Sequence, residues 1–305
     1  MKSTSLIVVL SVIIGVLLVA PVSATLVTHS RNLDLGYVDN LKETVGSLNW
    51  GGYVAATNFN TPSAAVTAVN ASWIVQTAAR SNTPSYSSQW TGIGGFFTSD
   101  SSLIQLGTES DYYGNSGSYS AWIERLPNSE QTIPLTIKPG DVIVANISLT
   151  SETNYWLMTM TDVTSKKSYN TVVNYGSSQL SAEYIEERPE LCNSRSCSLT
   201  TLSNFGTAYY GSDYTHQPLT EYPTINGQFS ALGSSAWQNE NIVMFANNGV
   251  KEIAAPSSLS SDGTSFMMTY LSGTSGVKFG IPKFGPERWG FDRNSGNGPL
   301  NPFDH

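Results

Sequence analysis

The sequence predicts an all-β protein, a two-sheet antiparallel β-sandwich. Between Trp50 and Leu271, short β-branched and aromatic runs alternate with Gly, Pro, Asn and Asp turns, and no stretch carries a convincing amphipathic helical period. The runs are also too many for one open sheet, whose apolar face would need a cover. In chain order the expected strands are Gly52–Thr57, Val66–Gln76, Gln89–Ile93, Leu103–Leu106, Tyr119–Glu124, Val142–Thr150 and Tyr155–Asp162. Tyr169–Tyr175, Ala182–Glu187, Phe205–Tyr210, Ile242–Ala246 and Ser265–Leu271 follow. Pro139-Gly140-Asp141, Asn247-Asn248-Gly249 and Ser261-Asp262-Gly263 supply turns between them. No internal repeat suggests a propeller or solenoid.

Flanking segments read differently. Lys2 precedes an apolar run from Leu6 to Ala20, followed by Pro21 and the small-residue triplet Val22-Ser23-Ala24. That pattern is a secretory signal cleaved after Ala24, and its apolar run falls short of the roughly 18 to 20 residues of a spanning helix. The expected divisions are a signal peptide over 1–24, a leader or pro-segment over 25–48, the sandwich over 49–279 and a Gly/Pro-rich extension over 280–305. The expected product is a secreted monomer with no membrane anchor after signal cleavage.

Only 12% of the residues are charged, and the net charge is −8. The negative balance argues against nucleic acid as a partner. In acid the 23 Asp and Glu neutralise, leaving 15 Lys and Arg with 3 His, so self-repulsion stays small and an acidic habitat fits. Cys192 and Cys197 are close in sequence and, in an exported chain, suit a disulfide closing a short loop. A zinc half-site would need further ligands, and His29, His216 and His305 stand near neither cysteine, so no metal and no cofactor are expected. Asn70-Ala71-Ser72 and Asn146-Ile147-Ser148 match the N-glycosylation pattern, which arises readily by chance in an Asn/Ser-rich chain.

Familiar nucleophile arrangements fail on inspection. Ser272-Gly273-Thr274-Ser275 lacks a histidine in a matching setting, and Ser261-Asp262-Gly263-Thr264 has neither the order nor the second copy that an aspartic pair requires. Carboxylates and side-chain amides remain. Strand phase puts Glu183, Ile185 and Glu187 on one face and Glu186 on the other, and groups Ser120, Trp122 and Glu124. Phase alone leaves Glu183 as either a surface acid or a cleft carboxylate.

At these residues the sequence resembles the glutamic peptidases, or eqolisins. Trp50-Gly51-Gly52 is similar to the family's opening, Trp90-Thr91-Gly92-Ile93 to its Trp-x-Gly-Ile segment, and Leu103-Ile104-Gln105-Leu106-Gly107 to its Leu-Gln-x-Gly segment. Tyr119-Ser120-Ala121-Trp122 with Glu124, Ala182-Glu183-Tyr184-Ile185 with Glu187, and Asn204-Phe205-Gly206-Thr207 complete the series in the family's order. The resemblance implies a concanavalin A-like sandwich and an acid endopeptidase acting on proteins or peptides, with Gln105 and Glu183 as the catalytic pair. It places Trp90 in the cleft lining and Glu187 as the companion acid, and Glu109, Tyr119, Trp122 and Glu124 are expected beside substrate. The sequence departs from the pattern at Gly94, Glu109 and Tyr184, where the family favours an acid, Asp and Trp. Two other readings start from the same residues: a carbohydrate-active sandwich using Glu124 and Glu183, and a non-catalytic adhesion module.

Overall fold

A computed structural model describes residues 26–37, 44–193 and 195–272. The expected signal peptide and C-terminal extension lie outside the described residues, as does Ser275 of the excluded nucleophile turn.

Antiparallel pairing dominates, as the turn-separated strands require. In one sheet the neighbours run Ser116–Arg125, Ile104–Tyr113, Ser88–Ile93, Ala182–Glu187, Trp50–Ala56 and Gln238–Phe245. In the other they run Lys167–Asn174, Tyr155–Asp162, Val142–Leu149, Val66–Ile74, Thr207–Gly211, Ser265–Tyr270 and Glu252–Pro256, the last rejoining Gln238–Phe245 at one edge. The interior is shared between them: Ile104, Leu106, Ala121 and Tyr184 from the first pack in one cluster with Val69, Trp73, Ile147 and Met158 from the second. Burial of such side chains contributes about 1.5 to 3 kcal/mol each before entropy is counted.

The two sheets differ on their outer faces. Val142–Leu149 and Tyr155–Asp162 alternate buried with accessible positions, the period-two signature of a sheet wet on one side. Ser88–Ile93 and Ala182–Glu187 are buried at every position. The outer face of that sheet therefore carries its own apolar cluster, with Trp50, Trp90, Trp122, Ile185, Leu103 and Phe96 at its centre.

Part of the cover comes from the segment expected as a leader. Thr44–Ser47 is fully buried and pairs in parallel with Gln238–Phe245, and Asp34–Tyr37 pairs with it in turn, so the folded unit includes chain before residue 49. Leu26–Thr28 joins the Glu190–Cys192 strand, whose hairpin with Cys197–Leu199 is closed by the Cys192–Cys197 disulfide. Asn70 and Asn146 face each other across neighbouring strands with their amides hydrogen-bonded together.

Candidate active site

The strand register assembles the expected pair. Glu183 lies opposite Gly92, and Gly92 lies opposite Gln105, which in turn faces Glu124. Directly opposed residues of antiparallel strands project to the same face, so Glu183, Gln105 and Glu124 form one transverse row. Backbones two strands apart are about 10 Å from one another, and the residue between the pair has no side chain. A Cβ on Gly92 would stand 3.1 Å from the Cβ of Gln105 and 3.0 Å from the Trp90 indole, so glycine keeps the space over the row open. One row along, Gly107 makes room for both tryptophans: a Cβ there would come within 2.5 Å of the Trp90 Cβ and 2.6 Å of the Trp122 indole. These contacts give the Trp-x-Gly-Ile and Leu-Gln-x-Gly segments a packing reason.

Gln105 and Glu183 are both completely buried. Gln105 Nε2 donates to Glu124 Oε2 at 2.6 Å. Burial pushes the Glu183 carboxyl well above the usual carboxylate range, and the neighbouring charge of Asp100 adds to this against the opposing pull of the Ser181 hydroxyl and the Gly94 N–H. Glu124 is pushed up to about 7, first by burial and then by the charge of Glu187, while His29, Thr28 and Gln105 oppose the rise. At the departure from the family pattern, Gly94 has φ +94°, a conformation that favours glycine. Asp100 brings a carboxylate to the same place, 3.1 Å from where a Cβ on Gly94 would stand.

Two rows from the pair, Glu187 sits opposite Ser88 and Ser88 opposite Glu109. Glu187 is heavily engaged: Trp90 Nε1 donates to Oε2 at 2.7 Å, His29 Nδ1 to the same oxygen at 2.9 Å, and the Ser30 N–H to Oε1 at 3.3 Å. Such saturation holds the Glu187 carboxylate in one position. Asp111 is pushed up to about 10 by burial and by the charge of Glu109, and Glu109 itself is raised chiefly by burial, so this pair holds a proton at neutral pH.

Tyr119 departs from expectation. Its neighbours Ser120, Trp122 and Glu124 occupy the site face, and strand alternation sends Tyr119 to the opposite face, where it packs on the interior cluster and its hydroxyl accepts the Ala78 N–H at 3.3 Å. Trp90, Trp122, Glu109, Glu124 and Glu187 all stand on the site face in register with the pair.

Sequence reasoning missed His29, which is fully enclosed over this face. Its ring stacks on Trp122 with centroids 3.9 Å apart and 15° between planes, and Nε2 lies 3.1 Å from Glu109 and 3.2 Å from Glu130. Burial by itself would lower its pKa; the charge of Glu187 and hydrogen bonds to Glu109, Glu130 and Glu187 outweigh that and raise it well above the usual value. His29, Glu109 and Glu130 have ligand atoms within 4.8 Å of one another. Here both nitrogens face carboxylates, which describes an ion-pair cluster. The only hint in the sequence was a lone histidine shortly after the expected signal segment.

Residues 48–227 match the Peptidase A4 family. Among solved structures, scytalido-glutamic peptidase with a transition state analog inhibitor superposes with a TM-score of 0.58 at 23% identity, covering 73% of this chain and 98% of that one. SCP-B, a member of the eqolisin family of peptidases in complex with the tripeptide Ala-Ile-His, gives 0.56 at 21% identity with the same coverage. At these identities the likeness shows a shared fold. No curated protein matches the sequence.

Proposed function

The chain belongs to the Peptidase A4 family and is a glutamic peptidase, and from that premise we propose that it is exported and cuts proteins in acid through Gln105 and Glu183. The observation that carries the assignment is the shared row: a carboxylic acid and a carboxamide in register on either side of a glycine. An ionised Glu183 takes a proton from water as that water attacks the scissile carbonyl, then returns the proton to the departing amine. Gln105 donates to the developing oxyanion. A carboxamide nitrogen carries two N–H groups, so the one bonded to Glu124 fixes the plane of the amide and leaves the other for the oxyanion. Glu124 is thereby a positioning residue.

Burial in the enclosed arrangement keeps the proton on Glu183, so the base works only when the groove is opened and hydrated. A carboxylate–carboxamide pair suits acid, because an amide does not titrate and a histidine base would be protonated there. The relatives of this fold that bind a transition state analog or the tripeptide Ala-Ile-His support a groove that takes an extended peptide. A glycosidase pairing of Glu124 with Glu183 fits poorly: their backbones are three strands apart, about 14 Å, and Glu124 is bonded to the amide lying between them.

Digestion of an unfolded protein across acid pH by wild type and by Glu183→Gln tests the proposal. Cleavage by wild type and none by the variant is expected; equal cleavage by both would remove Glu183 from the mechanism.

A further inference from the structure

The segment around His29 crosses the site face from one side to the other. Thr28 Oγ1 donates to Glu124 Oε1 at 3.1 Å, and the other oxygen of that carboxylate holds Gln105. His29 then lies on Trp122 between Glu187, Glu109 and Glu130. Next, the Ser30 carbonyl accepts from Trp50 Nε1 at 3.0 Å, and Arg31 Nη1 donates to the carbonyls of Thr98 and Asp100. Within four residues the strap touches the amide-holding carboxylate, the tryptophans and the loop beside Glu183.

The chain enters the strap as an added strand. Leu26–Thr28 is extended and pairs through its backbone with Glu190–Cys192, the way peptide ligands extend a sheet edge. The groove is longer than its occupant: a cavity of about 450 Å³ opens beside it, lined by Val27, Tyr86, Glu109, Asp111, Tyr113 and Glu130. The strongest point of attachment is the pocket around His29. A flat indole below and carboxylates facing both ring nitrogens match a planar cation with two N–H donors. A leucine there would take the ring N–H donors away from Glu109, Glu130 and Glu187, and a lysine would present a single ammonium to acids that approach from two sides.

We propose that Thr28–Arg31 occupies the groove in place of substrate, and that the pocket of Trp122, Glu109, Glu130 and Glu187 is a subsite that selects a histidine side chain in the peptides this enzyme cuts. The proposal rests on the peptidase reading for its second half only. Strap and substrate compete for one pocket, so weakening the strap's hold raises activity, and the residue that holds the strap is the residue the enzyme prefers in a substrate.

The test uses the full chain carrying His29→Ala or His29→Gln, with a hexapeptide of the Leu26–Arg31 sequence and its counterpart bearing alanine in place of histidine. Quenching of tryptophan fluorescence reports binding without any need for catalysis. The histidine peptide is expected to bind the His29→Ala chain about tenfold or more tighter than the alanine peptide, as loss of charge-assisted hydrogen bonds implies. His29→Gln keeps a polar planar group and serves as the binding chain if the alanine variant does not fold. In a quenched-fluorescent substrate series, one position is expected to favour histidine over leucine by a similar factor, and Glu130→Gln at the pocket rim to reduce that ratio. Equal binding of the two peptides, or no position that favours histidine, overturns the proposal while leaving the peptidase reading intact. Selective binding without cleavage of any substrate would support the pocket and sink the peptidase reading instead.

Discussion

The two faces of the Ala182–Glu187 strand each bury glutamate, and they do so on different terms. On the inner face Glu186 accepts from Gln76 Nε2 at 2.8 Å and from the Tyr210 hydroxyl at 3.2 Å, within the core between the sheets. On the outer face Glu183 looks across Gly92 toward Gln105, and Glu187 is tied down by Trp90 and His29. Burial pushes both Glu186 and Glu183 well above the usual carboxylate range, so a raised pKa does not separate them. Company does. Glu186 is locked by side chains that fix one geometry, whereas Glu183 shares its row with a carboxamide already oriented by another residue, which suits a proton-transfer group.

Substitutions on each face test this contrast. The largest effect is expected on the outer face: Gln105→Ala should lower kcat about 100- to 1000-fold, the usual cost of an oxyanion donor, with the fold retained by circular dichroism. On the inner face, Glu186→Ala removes the buried carboxyl that Gln76 and the Tyr210 hydroxyl share and leaves a void in the core, so it should cost about 2 to 4 kcal/mol in urea unfolding while the folded fraction keeps its activity.

Raised carboxyl pKa values also give the pH dependence of stability. The folded chain binds more protons at Glu183, Glu186, Glu221, Glu124 (about 7) and Asp111 (about 10) than the unfolded chain does. Stability from a raised group is fully present below the unfolded value near 4 and is lost as pH rises toward the folded value. Each excess proton contributes a slope of about 1.4 kcal/mol per pH unit, so the urea midpoint should fall between pH 4 and 7. A midpoint that climbs over this interval would contradict the buried-acid assignment on both faces. A smaller effect belongs to Gly92→Ala, whose added Cβ crowds Gln105 and should cut kcat about tenfold with little change in unfolding.

Much of the fold was legible because turn chemistry is local. The sequence places Tyr155–Asp162 and Ala182–Glu187 at their observed bounds, and the Gly140, Gly249 and Gly263 turns all adopt positive φ. The strand expected over Leu103–Leu106 instead runs Ile104–Tyr113, because the polar stretch after Gly107 is buried with partners: Thr108 accepts from Trp73 Nε1, and Glu109 meets His29. A polar run reads as a loop until the groups that satisfy it are known. Short strands such as Tyr222–Ile225 and Glu252–Pro256 went unread because tertiary pairing, not local pattern, makes them.

The site was legible in part for a similar reason. Residues on single strands, Glu183 and Glu187 or Trp122 and Glu124, sort by phase. The row joining Glu183 to Gln105 depends on which strands become neighbours, and only the ordered motifs pointed to it. Tyr119 was misplaced although its own phase opposes Trp122. His29 depends on a contact across 158 residues of sequence and left no local trace.

The most direct measurement compares Glu183→Gln with Glu186→Gln in one assay. Glutamine reproduces the shape and polarity of a protonated carboxyl but cannot take up and return a proton. On the inner face it should substitute for the neutral Glu186, with kcat/KM on an unfolded protein in acid within about threefold of wild type. On the outer face it should abolish the base, lowering kcat/KM about 1000-fold or more in a chain that unfolds normally. Comparable activity of the two variants, or loss confined to Glu186→Gln, would contradict the assignment of Glu183 as the proton-transfer residue.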